Sequence, residues 1–376
     1  MDKLPAGIRN KFLKKKAETA AAAASATDSS PSTGTSTPQL VSGSETQLPT
    51  PRPNASPSEI PFPLANLEEC LACEAPCTPE EQAEYPSYIM KSIDRSLPLL
   101  GSMKPYGRHV LISTGRKDWS HSIDEEEGSV AQGIFRALYE TKYGGRKRDG
   151  EPRIVLSNTS FAPARIGSGV TEVMLMPEFK FVRGVSPAKS GDFVKGFIDH
   201  VEENVKLEAT TMPFHSVVLI CSHNKRDKRC GVTSKYLVKA FESGLRRRDL
   251  YRSFDDMRTE AEGGIPGGGT VVGCLSHIGG HKFAGNVVIY RRRTKSVDQL
   301  HEKLKSLTLT NVENPENAGL TIRNIITDDV QAEGIWLGRV EPRHVEAIIE
   351  EVILKGKVFK ELYRGGLPSK FANFQF

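Results

Sequence analysis

Residues 216–245 read SVVLICSHNKRDKRCGVTSKYLVKAFESGL. The first six, Ser216 to Cys221, are an almost unbroken run of β-branched and aliphatic side chains, the pattern of a strand buried on both faces. A polar stretch follows. After Thr233, Tyr236, Leu237, Ala240, Phe241 and Leu245 fall on one face of a helix. Strand, polar loop and amphipathic helix open a β-α-β unit, which predicts an α/β fold. Two cysteines, Cys221 and Cys230, bracket the polar stretch with eight residues between them.

The same alternation extends in both directions. Downstream, Thr270 to Leu275, Asn286 to Tyr290 and Ile335 to Val340 read as strands. Pro342 then opens a helix with Val345, Ile348, Ile349, Val352 and Ile353 inward, closed by Gly356. Residues 291–334 are charged and read as a surface insertion with some helix. A strand pair and helices of this kind suit a thioredoxin-like domain. Upstream, His109 to Thr114, Arg153 to Ser157 and Val170 to Met176 read as strands. Ser129 caps a helix carrying Val130, Ile134 and Leu138 on one face. Phe193, Val194, Phe197, Ile198 and Val201 mark another amphipathic helix. The two halves read as degenerate relatives of each other.

Composition sets the outer bounds. A chain of 376 residues is long enough for about two domains at ~100–200 residues each. Residues 17–62 are rich in Ala, Ser, Thr, Pro and Gly, and cannot bury enough apolar surface to offset ordering entropy. The expected organisation is a disordered tail over 1–62, an N-terminal α/β domain over 63–212 and a C-terminal domain over 213–376. A net charge of +5 is too mild to argue for nucleic acid. No run of ~18 apolar residues marks a membrane span. Residues 1–16 carry Lys3, Arg9, Lys11, Lys14, Lys15 and Lys16 against Asp2 alone. This is either a mitochondrial targeting segment or a plain basic tail.

The six cysteines are too sparse for a disulfide scaffold and point to metal or redox chemistry. Cys221 and Cys230 lie after one strand. His277 and His281, in SHIGGHKFAGN, lie after another. Zinc accepts two thiolates and two imidazoles, but finger knuckles use a short C-x2–4-C spacing. The wider spacing suits an iron–sulfur cluster, and Gly279 and Gly280 let backbone approach it. A diferric 2Fe–2S core carries two positive charges. Two thiolates with two neutral imidazoles therefore leave it uncharged, whereas four thiolates leave it doubly negative. Mixed ligation of this kind in Rieske centres goes with ~−150 to +300 mV, against ~−400 mV for plant-type ferredoxins. A ring nitrogen not used as a ligand can release a proton on oxidation. Lys225, Arg226, Lys228 and Arg229 favour the reduced state, or dock an acidic partner, or form a solvated loop. His223 is read as supporting the site rather than ligating. Asp227 either hydrogen-bonds a ligand histidine or caps its own loop. Cys274 is read as a buried inert thiol and Trp336 as core. Cys70, Cys73 and Cys77, in CLACEAPC, are candidate redox or metal thiols, or an ordinary loop.

The segments CSHNKRDKRCG, LSHIGGHKFAGNVVIY, IWLGRVEPRHVEAII and ELYRGGL, in this order, resemble the sucrase/ferredoxin-like family of fungal thioredoxin-like ferredoxins. Within it the likeness leans toward members with a mitochondrial name. The strong likeness runs from about residue 213 to 370, broken by the insertion. It implies a thioredoxin-like ferredoxin domain at the C-terminus, preceded by a related α/β domain. It also implies a 2Fe–2S cluster held by Cys221, Cys230, His277 and His281, and a one-electron carrier rather than an enzyme. Some cytosolic relatives end in a tryptophan-containing tail that recruits cluster-assembly machinery. This chain ends Phe374-Gln375-Phe376, which with the basic N-terminus favours mitochondria over cytoplasm. The sequence offers no paired carboxylates for a sucrase reaction. Two other readings stand beside the carrier: a thiol–disulfide oxidoreductase using the Cys70–Cys77 cluster, and a structural Cys2His2 zinc protein. The redox partners are not named by the sequence.

Overall fold

Strands that are apolar on both faces need cover on both faces, and the architecture supplies it. In the computed structural model, residues 60–72, 78–141, 152–165, 167–200, 205–255, 268–293 and 332–368 are described. The strands in chain order are β1 (Leu64–Ala65), β2 (Arg108–Ser113), β3 (Ile154–Thr159), β4 (Thr171–Met176), β5 (Lys180–Val185) and β6 (Glu208–Thr211). Then come β7 (Ser216–Cys221), β8 (Thr270–Leu275), β9 (Val287–Arg292), β10 (Ala332–Leu337), β11 (Val358–Phe359) and β12 (Tyr363–Leu367). The helices are α1 (Leu67–Leu71), α2 (Pro79–Gln82), α3 (Ser87–Ser92), α4 (Val130–Arg136), α5 (Ser190–Phe193), α6 (Lys228–Arg247) and α7 (Val345–Ala347). Wider i→i+5 turns extend α4 to Thr141, α5 to Ile198 and α7 to Leu354.

Ten strands form one mixed sheet in the order β12-β10-β9-β7-β8-β3-β2-β4-β5-β6. The order is one motif used twice. In each half the second strand pairs in parallel with the first, as β3 with β2 and β8 with β7. The third strand pairs antiparallel on the other flank of the first, as β4 and β9 do. The fourth and fifth continue outward antiparallel. A helix joins the first strand to the second, and another joins the fourth to the fifth. The halves meet at equivalent strands, where Thr159 of β3 pairs antiparallel with Leu275 of β8.

The core explains how this sheet is covered. Val218 and Ile220 of β7 pack with Leu237, Ala240, Phe241 and Leu245 of α6 and with Ile348, Ile349 and Val352. Val110 and Ile112 of β2 pack with Ile134, Leu138, Phe193 and Val194. The alternate residues of both halves share a third cluster: Leu111, Met174 and Phe181 meet Val217, Leu219, Val288, Tyr290 and Trp336. The two half-sheets therefore face each other, with helices outside. Each large apolar side chain buried this way contributes about 1.5–3 kcal/mol, so strands with two apolar faces are stable only in this sandwich. The result is an α/β fold dominated by one large mixed sheet. Among the described residues no helix is long and apolar enough to cross a membrane.

Several boundaries differ from the sequence reading. Ile60 and Phe62, placed in the disordered tail, are buried; residues 1–59 lie outside the described residues. β9 runs through Arg292 and β10 opens at Ala332, so the edges of the 291–334 insertion belong to strands. Residues 294–331 lie outside the described residues, as does Val201. The helix read from Thr233 opens at Lys228, because Asp227 caps it by accepting from the Arg229 N–H. β1, β5, β6, β11 and β12 are additional strands.

Candidate metal centre

The odd-numbered side chains of β7 face the inter-sheet layer, and Cys221, its last residue, continues that row. The chain then turns back tightly. Arg226 and Asp227 N–H groups both donate to the His223 carbonyl. Asp227 caps α6 and also holds Arg229 through two guanidinium bonds of 3.0 and 2.8 Å. Cys230 thus sits in the first turn of α6, not on a loop, and is 1% exposed like Cys221. Gly231 is required here: a Cβ would lie 2.3 Å from the Asn224 Oδ1.

His277 follows β8 by two residues. Gly279 and Gly280 take left-handed backbone with φ of 82° and 75°, and His281 opens a short 3-10 turn to Phe283. Donor atoms of Cys221, Cys230 and His277 all lie within 4.8 Å of one another. His281 joins through its neighbour, its Nδ1 standing 3.4 Å from His277 Nε2, with ring centroids 5.1 Å apart. The structure therefore groups the donor atoms of Cys221, Cys230 and His277, and sets His281 beside His277 rather than within that group.

The electrostatics of the group follow from its burial and from the closeness of the two thiols. The buried thiols share a proton: the Cys230 S–H donates to Cys221 and holds the Cys221 thiol well below its ordinary range, with His277 adding to the effect. The same bond and burial push Cys230 up. Burial, then His277, lowers His281. His277 Nδ1 is buried with no hydrogen-bond partner among the described residues. An unsatisfied buried polar atom costs about 1–3 kcal/mol. A ligated metal accounts for such an atom, and a sulfur–nitrogen donor set suits zinc or an iron–sulfur group.

His223 supports rather than joins this group. Its Nδ1 accepts the His277 backbone N–H at 3.1 Å, and its Nε2–H donates to the Trp119 carbonyl at 3.1 Å. That carbonyl belongs to the 114–129 loop, which follows β2 as the cysteine loop follows β7. The loop grips the site further. Ser222 Oγ donates to the Lys117 carbonyl at 2.6 Å, the Lys225 N–H to Asp118 at 3.1 Å and Arg226 to His121 at 2.7 Å. β2 ends in Ser113 where β7 ends in Cys221, so the N-terminal repeat keeps the loop without that thiol. Sequence reading missed this loop, because nothing local marks it.

Cys274 is buried, and burial raises its thiol. Cys70 is half-buried, and burial followed by Glu351 and Glu69 raises it too, opposite to the shift that activates a thiol. Cys73 and Cys77 lie outside the described residues.

Residues 99–365 match the sucrase/ferredoxin-like family. The chain belongs to that family. The matched span contains Cys221, Cys230, His277, His281 and Arg364. Among curated proteins, the chain is 27% identical over 298 residues to Actin patches distal protein 1 of Saccharomyces cerevisiae, covering 75% of this chain and 80% of that protein. It is 29% identical over 149 residues to Altered inheritance of mitochondria protein 32 of Debaryomyces hansenii, covering 40% of this chain and 35% of that protein. Against the protein of that name in Eremothecium gossypii, identity is 22% over 346 residues, covering 81% and 93%. No solved structure matches the chain.

Proposed function

We propose that this protein is a one-electron carrier holding a 2Fe–2S cluster through Cys221, Cys230, His277 and His281. The observation that carries the reading is the convergence of two buried thiols and an imidazole within 4.8 Å, with a second imidazole 3.4 Å from the first. The residues between 213 and 376 would form a thioredoxin-like ferredoxin domain, and 63–212 its degenerate partner domain.

When bound, such a group supplies reversible one-electron chemistry at a potential raised by histidine ligation. The chain's own residues do the rest. Cys221 and Cys230 supply negative charge on one flank, and His277 and His281 neutral nitrogen on the other. His223 fixes the His277 backbone. His281 is half-exposed, so its non-ligating ring nitrogen can exchange a proton with water and couple electron transfer to pH. The names of several relatives refer to inheritance of mitochondria, which supports a mitochondrial setting for this chain.

A single zinc ion is the second reading, favoured by the compactness of the three-donor group. Visible absorption and electron paramagnetic resonance on anaerobically purified protein separate the two. The carrier reading expects stoichiometric iron and sulfide with absorption bands. It also expects His277→Cys and His281→Cys variants that keep a cluster with a changed spectrum and lower potential. A colourless protein with one zinc per chain overturns it.

A further inference from the structure

Arg364, in the ELYRGGL segment, is 1% exposed. Among the described residues no carboxylate pairs with it. Its Nε donates to Ser102 Oγ at 3.1 Å and its Nη2 to the Ser102 carbonyl at 3.3 Å. Its Nη1 donates to the Gly279 carbonyl at 3.2 Å and to Asn286 Oδ1 at 2.9 Å. Asn286 in turn donates from Nδ2 to the Gly280 carbonyl at 3.0 Å, and its own carbonyl accepts the Cys221 N–H at 3.0 Å. The guanidinium therefore holds, directly and through Asn286, both carbonyls of the Gly279–Gly280 link between the two histidines. Gly280 is shaped around it, since a Cβ there would lie 2.3 Å from Nη2.

A buried cation without an anionic partner costs several kcal/mol, and neutral carbonyls only partly offset that. Burial lowers the Arg364 guanidinium to about 10, and the groups that act to raise it are the thiols Cys221, first, and Cys230. It stays charged at neutral pH, as arginine does. We propose that Arg364 is the fixed counter-charge of the metal centre: it locks the link between the two histidines and stabilises the electron-rich form of the group that Cys221 and Cys230 hold. This rests on the carrier reading and deepens it, by naming a residue that sets the potential. Arg364 is a positioning residue, since it reaches the donors through the backbone of their loop and through its charge. An arginine buried only to satisfy carbonyls would give the same hydrogen bonds with no effect of charge on potential.

The test compares the full-length wild-type chain with Arg364→Gln and Arg364→Lys, purified anaerobically, by iron content, visible spectrum and midpoint potential. Arg364→Gln is expected to lower the reduced-to-oxidised ratio at least tenfold at the wild-type midpoint, which for one electron is about 59 mV. The offset should not vary with pH, because the lost charge does not titrate. Arg364→Lys is expected to stay within that tenfold. A glutamine variant with the wild-type midpoint, or lysine and glutamine variants displaced equally, overturns the proposal. Where the glutamine variant does not fold, the lysine variant decides: an intact spectrum with a tenfold displacement overturns it, and an unmoved midpoint upholds it. A wild-type chain without iron or visible absorption overturns the carrier reading and this proposal together. A clustered wild type with an unmoved glutamine variant overturns this proposal alone.

Discussion

Five side chains, Tyr106, Tyr290, Trp336, His109 and Ser157, form one buried hydrogen-bonded chain. The Tyr106 and Tyr290 hydroxyls stand 2.9 Å apart, Tyr290 is 2.9 Å from His109 Nδ1, and Trp336 Nε1 donates to Tyr106 at 3.0 Å. His109 Nε2 lies 2.9 Å from Ser157 Oγ, so the ring bonds at both nitrogens and stays neutral. Burial, aided by Arg153, pushes His109 down to about 3, and burial takes His344 down to about 4. The unfolded chain binds these protons near pH 6.5, whereas the folded chain refuses them. Above that pH neither group changes stability. As pH falls from about 6.5, His109 removes stability down to about 3 and His344 down to about 4, each at up to roughly 1.4 kcal/mol per unit. Urea midpoints should therefore drop steeply on acidification, and His109→Gln should make the drop shallower; an unchanged slope would rule out His109 as a source. Tyr290→Phe strips a partner from both His109 and Tyr106 and should cost about 1–3 kcal/mol at neutral pH, read by urea unfolding.

Among the elements, the turn from β7 into α6 carries two of the four candidate ligands, Cys221 and Cys230. β7 and the later turns of α6 were legible because both write an apolar period into the sequence. The first turn of α6 was not: Asp227, Lys228 and Arg229 are polar, so the pattern showed itself only after Thr233. β5, β6 and β12 were missed for related reasons. β6 (Glu208–Thr211) is an edge strand with little apolar content, and Gly365 and Gly366 weaken the strand signal of β12. Arg364 was illegible because an isolated arginine reads as surface; only the fold reveals that it is buried. The four donors were legible as residue types at a spacing, but their convergence depends on the parallel pairing of β7 with β8. Asp227 shows what the hidden turn does, because its cap fixes Cys230. Asp227→Ala should cost about 0.5–2 kcal/mol, while Asp227→Ser should keep most of that. Metal retention during dialysis should follow the same order. An alanine variant as stable and as metal-retentive as wild type would show that the cap is dispensable.

At the scale of the molecule, the repeated topology gives each half a task. The C-terminal repeat carries the candidate ligands, and the N-terminal repeat supplies half of the inner apolar layer and the 114–129 loop, which bonds to the segment between Cys221 and Cys230. Neither half-sheet covers its own inner face, so Val217, Leu219 and Trp336 on one side and Leu111, Met174 and Phe181 on the other are buried only jointly. Strand pairing between the repeats is short, at Thr159–Leu275 with the Ser160 N–H donating to the Cys274 carbonyl and the Ser276 N–H to the Asn158 carbonyl beside it, so the shared apolar layer and the hydrogen bonds of the 114–129 loop join the repeats as well. The two tryptophans fall one in each half, Trp119 at 0% and Trp336 at 1% exposure, and each lies against the other half, Trp119 against His223 and Trp336 against Tyr106 and His109. In Trp119→Phe the fluorescence follows the Trp336 side of the junction; in Trp336→Phe it follows the Trp119 side. If the inner layer couples the repeats, then within each variant the fluorescence and far-ultraviolet circular dichroism transitions in urea should superimpose, as for a single cooperative unit. A fluorescence transition that precedes the dichroism transition in either variant would mean that the repeats unfold separately. The 114–129 loop could then open without loss of the C-terminal fold.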